Sequence, residues 1–223
     1  MVDNFELIGK HIEQCYGTMS QDDAKDAYFH LQIIKRKKDT GEGSNSVCLR
    51  AYQIDADHPL SKYRDDIIAL CEYFKARAYI NPSPKSKEGT AVEMLKRLAD
   101  CFRLKDFNHV NRVWNSSAGS VGAMPSHKLW VVDYDYPDGF DAPWEVSDLL
   151  NCIENECQPT DKKKCVMRVP TRKGVHLITR PFDLRTFFAK FPGVDVHKNN
   201  PTVLYVPAVL DTNTDKDENA ERL

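Results

Sequence analysis

Asp133 and Asp135 stand two residues apart at the end of the apolar run "LWVVDYDYPDG", Leu129–Gly139. Side chains repeat every two residues along a strand, so both carboxylates would leave the same face. Aspartate is depleted in strands, and facing carboxylates raise one another's pKa unless something positive sits between them. The pair is therefore either a solvated turn, with Asp138 and Gly139 making a bend beside it, or a site that holds a cation. The spacing suits Mg²⁺ or Mn²⁺, hard ions that take carboxylate oxygens and complete their shell with water and phosphate oxygens.

Two residues further along bear on that choice. His176 follows the turn "PTRKG", and Asp195 sits in "GVDVH". A third carboxylate permits a second ion about 3.5–4 Å from the first, the spacing that activates an attacking hydroxyl and stabilises a leaving pyrophosphate. A histidine beside Arg172, Lys173 and Gly174 is suited to holding phosphates. Each residue also has a plainer role. His176 on an apolar strand could be a hydrogen-bonded core residue, Asp195 a loop entry, and Arg172 and Lys173 a solvated hairpin turn.

The elements needed to position these groups can be read from periodicity and turn residues. "AYFHLQIIKRKKD" and "SVCLRAYQI" flank "TGEGSN" as a hairpin. "PLSKYRDDIIALCEYFKA" is a helix behind a proline start, "RAYINPSP" a short strand closed by prolines, and "GTAVEMLKRLADCFRL" a second helix. "FNHVNRVWNSSAGS" reads as a shorter helix running into a loop. The second half gives strand "KLWVVDYD", helix "WEVSDLLNCIENEC", and strands "KCVMRVP" and "GVHLITR" joined by "TRK". Helix "DLRTFFAKF" follows, then a final strand pair "VDVHKNNPTVLYVP" around "HKNNP".

The expected fold class is α/β, of the α+β kind. Its C-terminal half has the β-α-β-β-α-β order of ferredoxin-like and RNA-recognition-like folds, packed with an N-terminal α/β unit. In such a sheet the first and third strands are central neighbours, antiparallel to the second and fourth, and the three carboxylates and the histidine could project from one face. We expect one domain over 1–210, made of an N-terminal unit over 1–125 and an RNA-recognition-like unit over 126–210. A disordered acidic tail should cover 211–223.

With its acidic pair after a strand, a small-residue-x-His motif on a later strand and a hydrophobic-Asp motif beyond, the chain resembles the archaeo-eukaryotic primase superfamily. Small primase-polymerase domains of phages and plasmids belong to it. The corresponding stretches are "VVDYDYPDG", "GVHLIT" and "GVDVHKNNPTVLYVP", and the resemblance covers about Lys128 to Pro207. It implies that Asp133 and Asp135 bind metal, that Asp195 completes the site, and that His176 contacts the phosphates of an incoming nucleotide. Gly174 fills the small position. Arg172 and Lys173 replace the serine or second glycine common in this turn. In the first half, "RAYINPSPKSK" is the segment expected to touch template or nucleotide, and Arg50, Arg77 and Lys85 are further candidates. His30, His109, His197, Trp114, Trp130 and Trp144 are read as packing or accompanying residues.

Composition limits the classes of function. The 223 residues are 41% hydrophobic and 29% charged, ordinary for a globular chain, with a net charge of −2. The tail from Asp211 carries a net −3, leaving a body of +1 with basic runs at "KRKK" and "PTRKG". That balance permits nucleic acid without demanding it. No window reaches the apolar length of a membrane span and no signal pattern opens the chain, so the expectation is a cytoplasmic protein with no membrane contact. The seven cysteines include no C-x-x-C pair, and Cys152, Cys157 and Cys165 have no histidine at ligand spacing, so buried thiols are expected rather than zinc.

The expected function is that of a metal-dependent nucleotidyltransferase, with Mg²⁺ or Mn²⁺ as cofactor. It would make or extend primers from nucleoside triphosphates on single-stranded DNA template, with any helicase acting in trans. Two alternatives stand beside it: a non-catalytic nucleic-acid-binding module, and a metal-dependent phosphoesterase using the same carboxylates.

Overall fold

Phe5, Ile8, Ile12 and Cys15 recur at helical spacing, and they form the buried face of the first helix, α1 (Phe5–Thr18). The computed structural model describes residues 1–40, 46–136, 143–160 and 163–211. The loop "GEGSN", the bend at Asp138 and Gly139, the Trp144 side chain and the tail beyond Asp211 lie outside the described residues. After the short strand β1 (Val2–Asp3) and α1 come α2 (Gln21–Asp26), β2 (Ala27–Lys35), α3 (Lys37–Thr40) and β3 (Val47–Ile54). Helix α4 (Arg64–Phe74), strands β4 (Arg77–Ile80) and β5 (Lys85–Ser86), helix α5 (Lys87–Leu104) and helix α6 (Val113–Ser120) complete the first half.

The second half runs β6 (Trp130–Asp135), α7 (Pro143–Asn151) with a π-type turn at Cys152–Glu156, β7 (Cys165–Pro170) and β8 (Gly174–Thr179). Helix α8 (Leu184–Lys190) follows, then β9 (Asp195–His197) and β10 (Thr202–Val206). Asp183 caps α8 by accepting from the backbone N–H groups of Arg185 and Thr186, as Ser86 caps α5 through Gly89. No described helix is long and apolar enough to cross a membrane.

The chain is thus mixed α/β with two antiparallel sheets. The first has the order β1-β10-β4-β2-β3, with β5 also on β2; the second has the order β7-β8-β6-β9. In the second, β6 and β8 are central neighbours as expected, but they run antiparallel to each other, so β6 shares its direction with β7 rather than opposing it. The expected final strand pair does not form. β9 pairs with β6 in the second sheet, whereas β10 crosses to lie between β1 and β4 in the first. Burial explains the division. All five residues of β10 are buried, as a central strand demands, while β9 is exposed or half-buried along its length, as an edge allows.

Successive residues of β6 serve two cores. Trp130 and Val132 join Val146, Leu149, Ile153 and Phe187 beneath α7 and α8. Val131, on the opposite face, joins Ile178, Val203 and Val206 in the larger cluster built by α1, α4 and the first sheet. Each such buried aliphatic side chain contributes roughly 1.5–3 kcal/mol. Asn4 ties the sheets together at a second point, donating to the carbonyls of Val203 (3.1 Å) and Pro170 (3.0 Å).

A buried acid fastens the far end of the first sheet. Asp55, just past β3, accepts from Gln53 (2.8 Å), from the His58 backbone (2.9 Å) and ring (3.0 Å), and from Lys87 at the start of α5 (2.9 Å). Burial alone would raise its pKa, but these donors together hold the carboxyl down to about 2. A depressed native pKa stabilises above the unfolded value of about 3.9 and is lost as the pH falls towards 2. Asp55→Asn is therefore expected to be less stable than wild type at pH 7, with the gap in urea-unfolding free energy narrowing as the pH falls from about 4 to about 2.

Candidate active site

The inward face of β6 changes character along its length: Val131 is apolar, and Asp133 and Asp135 are acidic. Its neighbour β8 changes in step, because Val131 pairs with Ile178, Asp133 with His176 and Asp135 with Gly174. On the other side Asp195 of β9 lies opposite Asp133, and His197 opposite Val131. Residues directly opposite across an antiparallel ladder share a face, so His176, Asp133 and Asp195 form one cross-strand row. The apolar end of that face is buried against the first sheet, and the polar end opens into a cleft.

The cleft has a volume of about 630 Å³. One wall is the row just described, with Asp133, Asp135, His176 and His197, together with Thr171, Arg172 and Lys173 of the β7–β8 turn. The other comes from the first sheet: Ile34 and Arg36 at the end of β2, Arg77 and Tyr79 on β4, and Val203 of β10, with Asn200 and Pro201 at the rim. In β2 and β4, Ile34 pairs with Arg77 and Gln32 with Tyr79, which sets both β4 side chains on the cleft face. Arg36 donates to the Tyr79 hydroxyl at 3.0 Å, and Arg77 forms an ion pair with Asp39. Carboxylates on one wall thus face guanidinium groups on the other, where Asp39 beside Arg77 also lines the cleft.

His176 sits at the hinge of this arrangement. Its Nε2–H donates to Asp133 Oδ1 at 3.2 Å, and its Nδ1 lies 2.8 Å from the Thr202 hydroxyl. The bond from His176 holds the Asp133 carboxyl below the usual carboxylate range against the opposing effect of burial, and His197 and Arg36 add to it. Asp133 is therefore an anion that the site keeps charged.

The remaining candidates separate. Arg172 and Lys173 line the cleft. Asp195 is in register with Asp133 but is exposed and lies outside the cleft lining. Gly174 is buried and serves a different purpose from the phosphate contact its motif suggests. A Cβ there would stand 1.9 Å from the Tyr134 carbonyl oxygen, so only glycine lets β8 approach β6 beside Asp135. "RAYINPSPKSK" divides in the same way. Arg77 and Tyr79 reach the cleft, but Asn81 to Lys85 are buried. Ser83 both donates to and accepts from the backbone of Leu129, so this stretch anchors the entry to β6 instead of meeting a template. Lys85 is enclosed, donating to the Val121 carbonyl at 2.6 Å, and burial lowers its pKa to about 8. Arg50 lies across β3 over the Tyr52 ring, outside the cleft lining. His30 is structural, bonded to Asn115 at 2.9 Å, with its pKa lowered by burial to about 4.

Nothing matches: no family model, no curated protein and no solved structure. The residues of the cleft therefore carry the argument by themselves. Arg36, Thr202 and His197 were not singled out as site residues in the sequence, whereas Tyr79 lies within the expected segment "RAYINPSPKSK". Arg36 belongs to a basic run that reads as solvated surface, and Thr202 reads as an ordinary β-branched strand residue. The pairing of β2, β4 and β10 brings Arg36 and Thr202 to the acidic row, and the pairing of β9 with β6 brings His197. Among the described residues, no three His, Cys, Asp or Glu side chains converge closely enough to hold a metal ion unaided.

Proposed function

We propose that the cleft binds a nucleoside triphosphate with a divalent cation and transfers its nucleotidyl group, as in the primase-polymerase enzymes that the sequence motifs resemble. The observation that carries this reading is the pairing of Asp133 with His176 and Asp195 across one sheet, facing Arg36 and Arg77 on the other. A triphosphate is polyanionic, and its metal complex presents both charges at once. A wall of carboxylates against a wall of guanidinium groups complements both. The strand order β7-β8-β6-β9 supports the RNA-recognition-like reading, because it is the second-third-first-fourth order of a split βαβ sheet.

The donor set fits a hard ion. Mg²⁺ is usually bound by one or two carboxylates together with substrate phosphates, rather than in an all-protein cage. Asp133 and Asp135 on one edge of the cleft would supply those carboxylates, with Asp195 beside Asp133 available to a second ion. Such an ion, when bound, stabilises negative charge on the α-phosphate and on the departing pyrophosphate. The chain's own groups do the rest. Arg36, Arg77, Arg172 and Lys173 hold the triphosphate, and the His176 N–H holds the Asp133 carboxylate in place for the ion. Asp133 stays ionised, and the Gly174 contact fixes the height of β6 against β8. A 3′-hydroxyl, or that of a first nucleotide, would then attack the α-phosphate in line.

Binding tests this before turnover does. The thermal midpoint is expected to rise by several degrees with Mn²⁺ and a nucleoside triphosphate together, and much less with either alone. Arg36→Ala should weaken the response about tenfold in nucleotide concentration, the loss of one charge-assisted contact. A response to single-stranded DNA with none to nucleotide and metal would favour a non-catalytic binding module instead.

A further inference from the structure

We propose that Thr202 is a positioning residue for His176, fixing the ring's orientation against Asp133. The proposal rests on the reading of the cleft above and deepens it. Thr202 is fully buried on β10, a strand of the first sheet, whereas His176 is on β8 of the second. The 2.8 Å contact between Thr202 Oγ1 and His176 Nδ1 is thus a hydrogen bond from one sheet to the other.

The chemistry of the two partners decides the proton's place. The Asp133 carboxylate only accepts, so the nitrogen facing it at 3.2 Å, Nε2, carries hydrogen. Nδ1 of the neutral ring is then a bare acceptor, and the Thr202 hydroxyl donates to it. A ring held at both nitrogens cannot turn about its Cβ–Cγ bond without breaking two hydrogen bonds. The alternative tautomer would present a lone pair to the cleft at Nε2, which repels an anion, whereas the Nε2–H form donates to one. Packing alone does not call for threonine here, since valine has nearly the same shape and suits a buried strand. The chain leading into β10 is itself fixed, because Asn81 donates to the Asn199 carbonyl at 3.3 Å. Asn200 and Pro201 of the same turn line the cleft. The turn that carries β10 from one sheet to the other thereby delivers the hydroxyl to the histidine.

The test uses the whole chain as wild type, Thr202→Val and Thr202→Ser, with His176→Gln to assign the signal. Ring ¹⁵N spectra are recorded without metal at one pH, about two units above the ordinary imidazole value. Wild type, Thr202→Ser and Thr202→Val should all show His176 as the Nε2–H form, with the Nδ1 resonance of Thr202→Val moved downfield of the other two because that nitrogen has lost its donor. In nucleotide incorporation, Thr202→Val should raise KM for the nucleotide about tenfold with kcat within about threefold, and Thr202→Ser should recover most of the loss. An Nδ1–H form in wild type, or an unchanged His176 spectrum in a folded Thr202→Val, would overturn the proposal. So would a serine variant no better than valine. If wild type neither binds nor incorporates nucleotide, the reading of the cleft fails, and the nitrogen spectra alone decide the role of Thr202.

Discussion

Replacing Asp133 and Asp135 together with alanine is expected to lower nucleotide incorporation by at least about 10³-fold while leaving the fold intact. The chemical effect is large because these are the two β6 carboxylates that line the cleft, and charge stabilisation at the reacting phosphate depends on them. The structural effect is small for separate reasons. Asp133 is 39% exposed at its side chain, so its pairing with His176 contributes at most about 1 kcal/mol. Asp135 is exposed, and its removal leaves no buried void. Losing Asp133 also relieves its repulsion with Asp195 directly across the strand pair. Circular dichroism and a thermal midpoint within a few degrees of wild type would show the fold kept. Incorporation at wild-type rates by the folded double variant would remove the carboxylates from the mechanism.

Gly174→Ala is expected to act through the fold. The added methyl would meet the Tyr134 carbonyl oxygen at 1.9 Å, the Asp135 Cα at 2.7 Å and the Tyr134 carbonyl carbon at 2.8 Å. All three are backbone atoms of a central strand, so nothing at the tip of a side chain can yield, and β8 must part from β6 where Asp135 enters the cleft. Overpacking of this kind costs about 3 kcal/mol, which lowers the thermal midpoint by roughly 6–12 °C in a chain of this size. Activity should fall with it. Gly193→Ala is the control, since nothing lies within 4 Å of a Cβ there, and its midpoint should move by less than about 2 °C. Equal effects at the two glycines would show that the close approach at Gly174 is not what requires glycine.

The sequence made part of this arrangement legible. β6, β8 and the helix between them follow from periodicity, and the place of β6 and β8 as neighbours follows from the order of the strands, whereas their antiparallel register does not. Three further features did not follow in full. The close contact at Gly174 is invisible without β6 beside it, so the glycine reads as a motif residue. β9 and β10 read as a hairpin because consecutive strands around a short turn usually pair. The clue to their separation is that "TVLYV" is a β-prone run with no charged residue while "VDVH" alternates. The cationic wall was legible only in part: Arg77 and Tyr79 lie in a segment expected to meet nucleotide, but Arg36 is brought to the acidic row by pairings between strands far apart in the chain.

The most direct test of the central claim is incorporation of labelled nucleoside triphosphates by the wild-type chain, with Mn²⁺ and single-stranded DNA, with and without an annealed primer. Our reading predicts products longer by whole nucleotides, made only when template, triphosphate and metal are all present. Release of inorganic phosphate with no chain extension would contradict it and assign the cleft to hydrolysis.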